Sequence, residues 1–301
     1  MGKRVKNILD DVDICHITKS VKAYIMTKDI ILKKVKAFPP LDDTVSKVMA
    51  ICNDENSSIG ELTKVVQSDP MTMANILKAA NSPLYGFSRE INSISQAVSI
   101  FGMDTVKGFA FSSFLQKKLD LNLEPYSMDA KSFATITEKQ SAFVTKWFKG
   151  DKSKLEVLIL TSFLMEIGKI VLANVVVENG KTDEFKKAIA QTTNAKELRA
   201  LEESVFNITN EEITAIVFKE WNFDEKMCEA IEFLHHPEDA SNHAREFSQI
   251  LEVIKTFITT QPYDQEEQLQ SAILLVEKYG LNKDKFMEIV EEQLNIEVPA
   301  V

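Results

Sequence analysis

Ser68-Asp69-Pro70-Met71-Thr72-Met73-Ala74-Asn75-Ile76-Leu77-Lys78-Ala79-Ala80-Asn81-Ser82-Pro83-Leu84-Tyr85-Gly86 says more about the fold than any other part of the chain. Asp69 is a good N-cap, because its carboxylate can accept from backbone N–H groups left free in a first helical turn. Pro70 suits the first helical position, where a missing N–H costs nothing. Met73, Ile76, Leu77 and Ala80 then recur at i, i+3, i+4 and i+7, one face of a helix. Asn81 and Pro83 close it. Ala79-Ala80 leaves little side chain, so another backbone can come close.

The surrounding stretch, Phe38 to Phe114, carries five helix-sized segments. Pro39-Pro40 is a rigid entry, since proline fixes φ and stops a helix arriving from the residue before it. Ser58-Ile59-Gly60-Glu61 and Ser93-Ile94-Ser95-Gln96 have the form of capping boxes. Gly102 suits the left-handed position after a helix end, and Asp104 can cap the helix that buries Val106, Phe109 and Ala110. Such short helices with short links predict crossed helices rather than a long bundle.

Further out, residues 1 to about 36 read as one or two helices, with Ile8, Val12, Ile17, Val21, Ile31 and Val35 among their apolar positions. Leu121 to Asp129 is the best internal boundary. Beyond it a segment runs to a stop at Gly150, and one apolar helix is expected from about 154 to 177. More helices are expected near 181–191, 194–205, 209–221 and 224–235, then around 241–260, 264–279 and 282–296. Thr209-Asn210-Glu211-Glu212 is a third capping box.

Composition sets bounds on function. The 301 residues are 45% hydrophobic and 27% charged, the balance of a globular protein with ample core. Nine glycines and eight prolines are too few for a turn-dense all-β chain. A formal charge of −10 argues against a nucleic-acid partner, which calls for concentrated Lys and Arg. Cys15, Cys52 and Cys228 show no paired spacing, which suits core thiols in a reducing cytoplasm. No signal peptide is read at the N-terminus. Val157 to Val177 could be mistaken for a membrane span, but Glu166, Lys169 and Asn174 would be costly there, and a buried helix is the better reading.

The ordered set Phe38-Pro39-Pro40-Leu41, Ser68-Asp69-Pro70, Ala80-Asn81-Ser82-Pro83-Leu84-Tyr85-Gly86, Ile94 to Ala97 and Phe101-Gly102-Met103-Asp104-Thr105-Val106 resembles the HDOD family. These are bacterial signalling modules related to HD-domain phosphohydrolases. The resemblance implies an all-α fold of two helical subdomains, the C-terminal one HD-domain-like. It sets a helical leader at 1–29, an HDOD domain at 30–237 (30–120 and a degenerate HD-like 121–237) and C-terminal helices at 238–301 that complete the fold. It also implies a regulatory output role.

The HD superfamily hydrolyses phosphoesters with metals held by several His and Asp side chains, including an adjacent His-Asp pair. Divalent metals need such convergent imidazoles and carboxylates, with an open position for water. This chain has four histidines, 16, 235, 236 and 243, and none precedes Asp. Where the resemblance places His-Asp ahead of Ile-Gly-Lys stand Met165-Glu166-Ile167-Gly168-Lys169. Asn210 stands eleven residues before Trp221, where a relative often shows histidine, and 133–141 has no histidine.

The expectation is therefore a non-catalytic signalling protein that binds another, unknown signalling protein, with no cofactor; association with a second copy is left open. Its alternatives are a metal-dependent phosphohydrolase of nucleotides or cyclic dinucleotides, and a small-ligand sensor. Glu166, Lys169, Asn210, His235 and His236 are the candidates for a vestigial pocket. Glu166 in an apolar helix must be paired or neutralised, and Lys169 at i+3 is a natural partner. His235-His236 reads first as a helix C-terminus, where imidazoles favour the negative dipole end, with the pocket or a partner contact as the other reading. Asn81, Tyr85 and Phe87 are the partner-contact candidates, because loops on rigid scaffolds carry recognition; the two aromatic rings could instead plug the junction between the helical halves.

Overall fold

The computed structural model describes residues 28–54, 56–85, 90–119 and 121–297. Most of the leader, together with Cys15, His16 and Phe87, lies outside them. Among the described residues there are helices and no strands.

The first helices are α1 (Lys28–Lys36), α2 (Asp43–Cys52), α3 (Ile59–Gln67), α4 (Pro70–Ala80), α5 (Ile94–Phe101) and α6 (Met103–Lys118). Local chemistry sets their ends. Asp69 accepts from the backbone N–H groups of Met71 and Thr72, both at 3.1 Å, and Lys117 of α6 donates to its other oxygen at 2.6 Å. Burial works against this carboxylate, yet Lys117 and the Thr72 donors outweigh it and bring its pKa down to about 2. Ser58 and Glu61 form the reciprocal box that opens α3. At α5 only half of the expected box forms: Ser93 accepts from Gln96 N, while the Gln96 side chain reaches back to the N–H of Asn92. Gly102 stands at φ +82° before α6, which has no side-chain cap; Asp104 pairs with Lys107 at 2.9 Å instead.

The rest of the chain forms α7 (Ala130–Trp147), α8 (Lys152–Leu164), α9 (Gly168–Glu178), α10 (Thr182–Ile189), α11 (Ala195–Phe206), α12 (Asn210–Glu220), α13 (Glu225–Glu232), α14 (Arg245–Phe257), α15 (Gln265–Lys278) and α16 (Lys283–Glu297). Trp221 stitches the two parts together. Its ring packs on Phe38, Phe111 and Phe114, and its indole N–H donates to Pro39 O at 3.3 Å. Helix α14 packs on α7, α8 and α13, and Phe257, Phe143, Trp147 and Phe286 tie α7, α14 and α16 into one cluster. The C-terminal helices thus share the core rather than trail from it.

One expectation is corrected here. The apolar run of 154–177 is two helices, α8 and α9, separated by Met165-Glu166-Ile167. Two N–H groups at the start of α9 find acceptors on α12: Gly168 donates to Thr214 Oγ1 at 3.1 Å and Lys169 to Asn210 Oδ1 at 3.0 Å. These two donors are thus satisfied from outside the helix, as a buried helix start requires. No helix among the described residues is long and apolar enough to cross a membrane.

Candidate functional site

The break between α8 and α9 brings a charged cluster into the core. Glu166 comes from the break itself, Lys169 from the first turn of α9, Glu202 from α11, Asn210 and Glu211 from the first turn of α12, and Lys255 from α14; all six are buried, Glu166 to 1% exposure. Gln140 of α7 and Tyr126 close the cluster from below the break.

Two ammonium groups hold three carboxylates. Lys255 Nζ donates to Glu166 Oε1 at 2.7 Å and lies 3.0 Å from Glu211 Oε1. Lys169 Nζ donates to Glu202 Oε1 at 3.0 Å and lies 3.3 Å from Glu166 Oε2. Amides and a phenol complete the set. Asn210 Nδ2 donates to Met165 O at 2.9 Å and lies 3.4 Å from Glu166, Gln140 Nε2 is 3.4 Å from the same carboxylate, and Tyr126 donates to Glu202 at 2.9 Å.

Burial works against every charge here, so the neighbours decide. Lys255 and Lys169 overcome the burial of Glu166 and hold its carboxyl below the usual range. Lys255 and His235 do the same, more strongly, for Glu211. For Glu202 burial wins over Lys169 and raises the carboxyl. For Lys169 burial loses to Glu202 and Glu166, which raise its pKa.

His235 and His236 part company. His235 lies beyond the end of α13, with Nε2 3.5 Å from Glu211 and Nδ1 3.8 Å from Glu252. Glu252 of α14 also accepts from the Tyr279 hydroxyl. His236 is exposed, 3.8 Å from Glu238, and takes no part in the cluster. The reading of both imidazoles as donors at a helix C-terminus is corrected: α13 stops at Glu232, and His235 faces carboxylates of α12 and α14 instead.

This arrangement has a pH signature. Burial favours neutral His235, but Glu211 and Glu252 outweigh it and raise the pKa above 6.5; Lys255 is the opposing cation. The imidazolium therefore adds stability that is complete below 6.5 and lost as pH rises through the higher folded value. The lowered Glu166, Glu211 and Glu252 contribute in the opposite sense, losing their part only on acidification below 4.5. Urea midpoints measured from pH 6 to 8 are expected to fall faster for the wild type than for His235→Gln. Each tenfold difference in proton affinity between the folded and unfolded chain is worth about 1.4 kcal/mol. Parallel profiles for the two proteins would remove His235 from the network.

A divalent metal does not fit these residues. Met165, at the position of the expected histidine, is wholly buried, and a thioether is a poor ligand for hard cations. Both oxygens of Glu166 and one each of Glu202 and Glu211 are already taken by ammonium groups at 2.7–3.3 Å, so a metal reaching the remaining Glu211 oxygen, which has no hydrogen-bond partner, would meet two fixed positive charges. Among the described residues no group of three or more His, Cys, Asp or Glu side chains is placed to hold a metal ion. The free volume left in the cluster is about 10 Å³, room for one water.

The partner-contact candidates sit elsewhere. Asn81 is a clip: Nδ2 donates to Leu77 O and Ile91 O, and Oδ1 accepts from Ile91 N at 2.8 Å, which ties the exit of α4 to the entry of α5. Tyr85 as a contact residue is corrected, because its ring is buried edge-on against Phe101 and Phe109, with centroids at 4.8 and 5.7 Å. Sequence reasoning missed Glu202, Glu211 and Lys255. Lys255 left a trace, a charge directly following Val253-Ile254 in an apolar run; Glu202 and Glu211 left none, because each has an acidic neighbour, Glu203 and Glu212, that suits solvent as well.

An all-helical core in which two buried lysines bridge three buried glutamates is the class that this architecture defines. The family model for the HDOD domain matches residues 38–237, and the chain belongs to the HDOD family. Among solved structures it is similar to a protein from Shewanella amazonensis SB2B provisionally named a phosphohydrolase (TM-score 0.67, 18% identity, 87% of this chain and 93% of that one). It is also similar to a provisionally named signal transduction protein from Marinobacter aquaeolei VT8 (0.65, 20%, 94% and 63%) and to an HDOD domain protein of unknown function from Geobacter sulfurreducens (0.60, 16%, 94% and 96%). These likenesses show the fold. No curated protein matches the sequence.

Proposed function

We propose that this chain is a non-catalytic signal-transduction or regulatory protein of the cytoplasm that acts by binding another protein through its HDOD domain. The observation that carries this reading is the pair of lysine ammonium groups, Lys169 and Lys255, bridging Glu166, Glu202 and Glu211 in the core. In a hydrolytic centre of this type the carboxylates must be free to take a metal that activates water. Here they are neutralised by side chains of the protein itself, so the centre supports structure rather than turnover. A buried ion network with good geometry favours one arrangement of the helices that carry it, a useful property in a platform for a partner.

The test is metal content by mass spectrometry after incubation with manganese or iron and desalting, with a phosphodiesterase assay on the same sample. Substoichiometric metal and no hydrolysis of nucleotides or cyclic dinucleotides is the expected result. Stoichiometric metal with turnover would make the protein a phosphohydrolase and end the proposal.

A further inference from the structure

The charged cluster has an outer face. Beside it lies a cleft of about 670 Å³ between the start of α11, the His235-His236 loop, α14 and α15, within the size range of sites that enclose small organic ligands. Arg199 of α11 lines both this cleft and the small cavity inside the cluster. Its Nε is buried with no hydrogen-bond acceptor, and its Nη1 reaches only to 3.9 Å from Glu203. A buried N–H with no acceptor is costly, and an oxyanion supplied from the cleft would remove that cost. Lys196, one turn earlier, lines the same cleft.

The acidic groups of the cleft are mostly engaged. Asp264 caps α15 by accepting from Glu267 N at 2.9 Å, and Glu252 accepts from Tyr279 and faces His235. Glu267, on α15, is the remaining carboxylate. The same helix presents Leu274, which is 66% exposed. The unpaired Arg199 Nε and the Lys196 ammonium on one wall and an apolar side chain on the other suit a molecule with an anionic end and an apolar body.

We propose that this cleft binds a phosphate-bearing small molecule of nucleotide size, with its phosphate on Arg199 and Lys196 and its apolar part against Leu274. Arginine's planar fork matches two phosphate oxygens, and the lysine adds a point charge. The site uses no metal and breaks no bond. It stands independently of partner binding.

Isothermal titration of the full chain in EDTA, with adenosine monophosphate, inorganic phosphate and adenosine as probes, tests the assignment. The monophosphate is expected to bind, inorganic phosphate more weakly, and adenosine without detectable heat. Arg199→Gln is expected to weaken the monophosphate by about tenfold or more, the scale of a lost charge-assisted hydrogen bond, without shifting the thermal midpoint. No binding of the monophosphate at millimolar concentration, adenosine binding as tightly, or an unchanged affinity in Arg199→Gln would each overturn it. Chelation keeps this outcome separate from any hydrolysis.

Discussion

Lys255→Met is expected to lower the stability of this protein by about 3–5 kcal/mol, the scale for removing one partner of a buried ion pair. The methionine fills a similar volume, so the loss comes from charge rather than from a cavity. Lys255 Nζ serves Glu166 at 2.7 Å and Glu211 at 3.0 Å, and neither carboxylate can turn to solvent. Lys169 has its close contacts with Glu202 and Glu166 and acts on Glu211 only from further away. In a thermal melt the effect is a fall of roughly 10 °C for a chain of this size. The double variant Lys255→Met with Glu166→Gln removes one of the two carboxylates that lose Lys255 and should recover a large part of the loss. A midpoint within a degree or two of wild type for the single variant, or no recovery in the double one, would show that Lys255 does not hold the cluster.

The second large effect is at Gly168. A Cβ built there would stand 2.3 Å from the backbone oxygen of Asn210 and 2.8 Å from its Oδ1. Neither can give way cheaply. The oxygen belongs to the first turn of α12, and the amide oxygen accepts from Lys169 N. Gly168→Ala must therefore push α12 away from α9 and drag Asn210 and Glu211 with it. A loss of about 3 kcal/mol or more is expected, at the upper end for overpacking a tight contact. Gly60 is the internal control, since its nearest neighbour outside the helix backbone is Ser58 Oγ at 3.8 Å. Gly60→Ala should leave stability unchanged or raise it by roughly 0.5 kcal/mol, because alanine is the better helix former. Urea unfolding of the two variants gives the comparison; equal midpoints would mean that the α9–α12 contact yields without cost.

Much of this architecture is legible in the chain because helix ends are local events. Asp69 and Pro70, Ser58 with Glu61, and Thr209 with Glu212 announce their helices within four residues, and the structure places α4, α3 and α12 at those points. The HDOD resemblance rests on the same kind of ordered local signal, and the family model covers the same region. The break at Met165-Glu166-Ile167 is hidden in the sequence by the apolar run on either side of it. Hydropathy fixes that a segment is buried, but it says nothing of a bend whose donors are satisfied by Thr214 and Asn210, more than forty residues away.

The candidate site divides in the same way. Glu166 stands out because a carboxylate in an apolar run needs a partner, and Lys169 one turn on is a partner within reach. Residue order alone is enough for the all-helical class and for the helix ends set by caps. What Glu166 pairs with beyond Lys169 emerges only when the helices are packed. Lys255 arrives from α14, outside the matched family region, and Glu202 and Glu211 turn inward while their acidic neighbours do not. A charge network is made of distances between helices, and no periodicity along one helix encodes which of its charges will meet another.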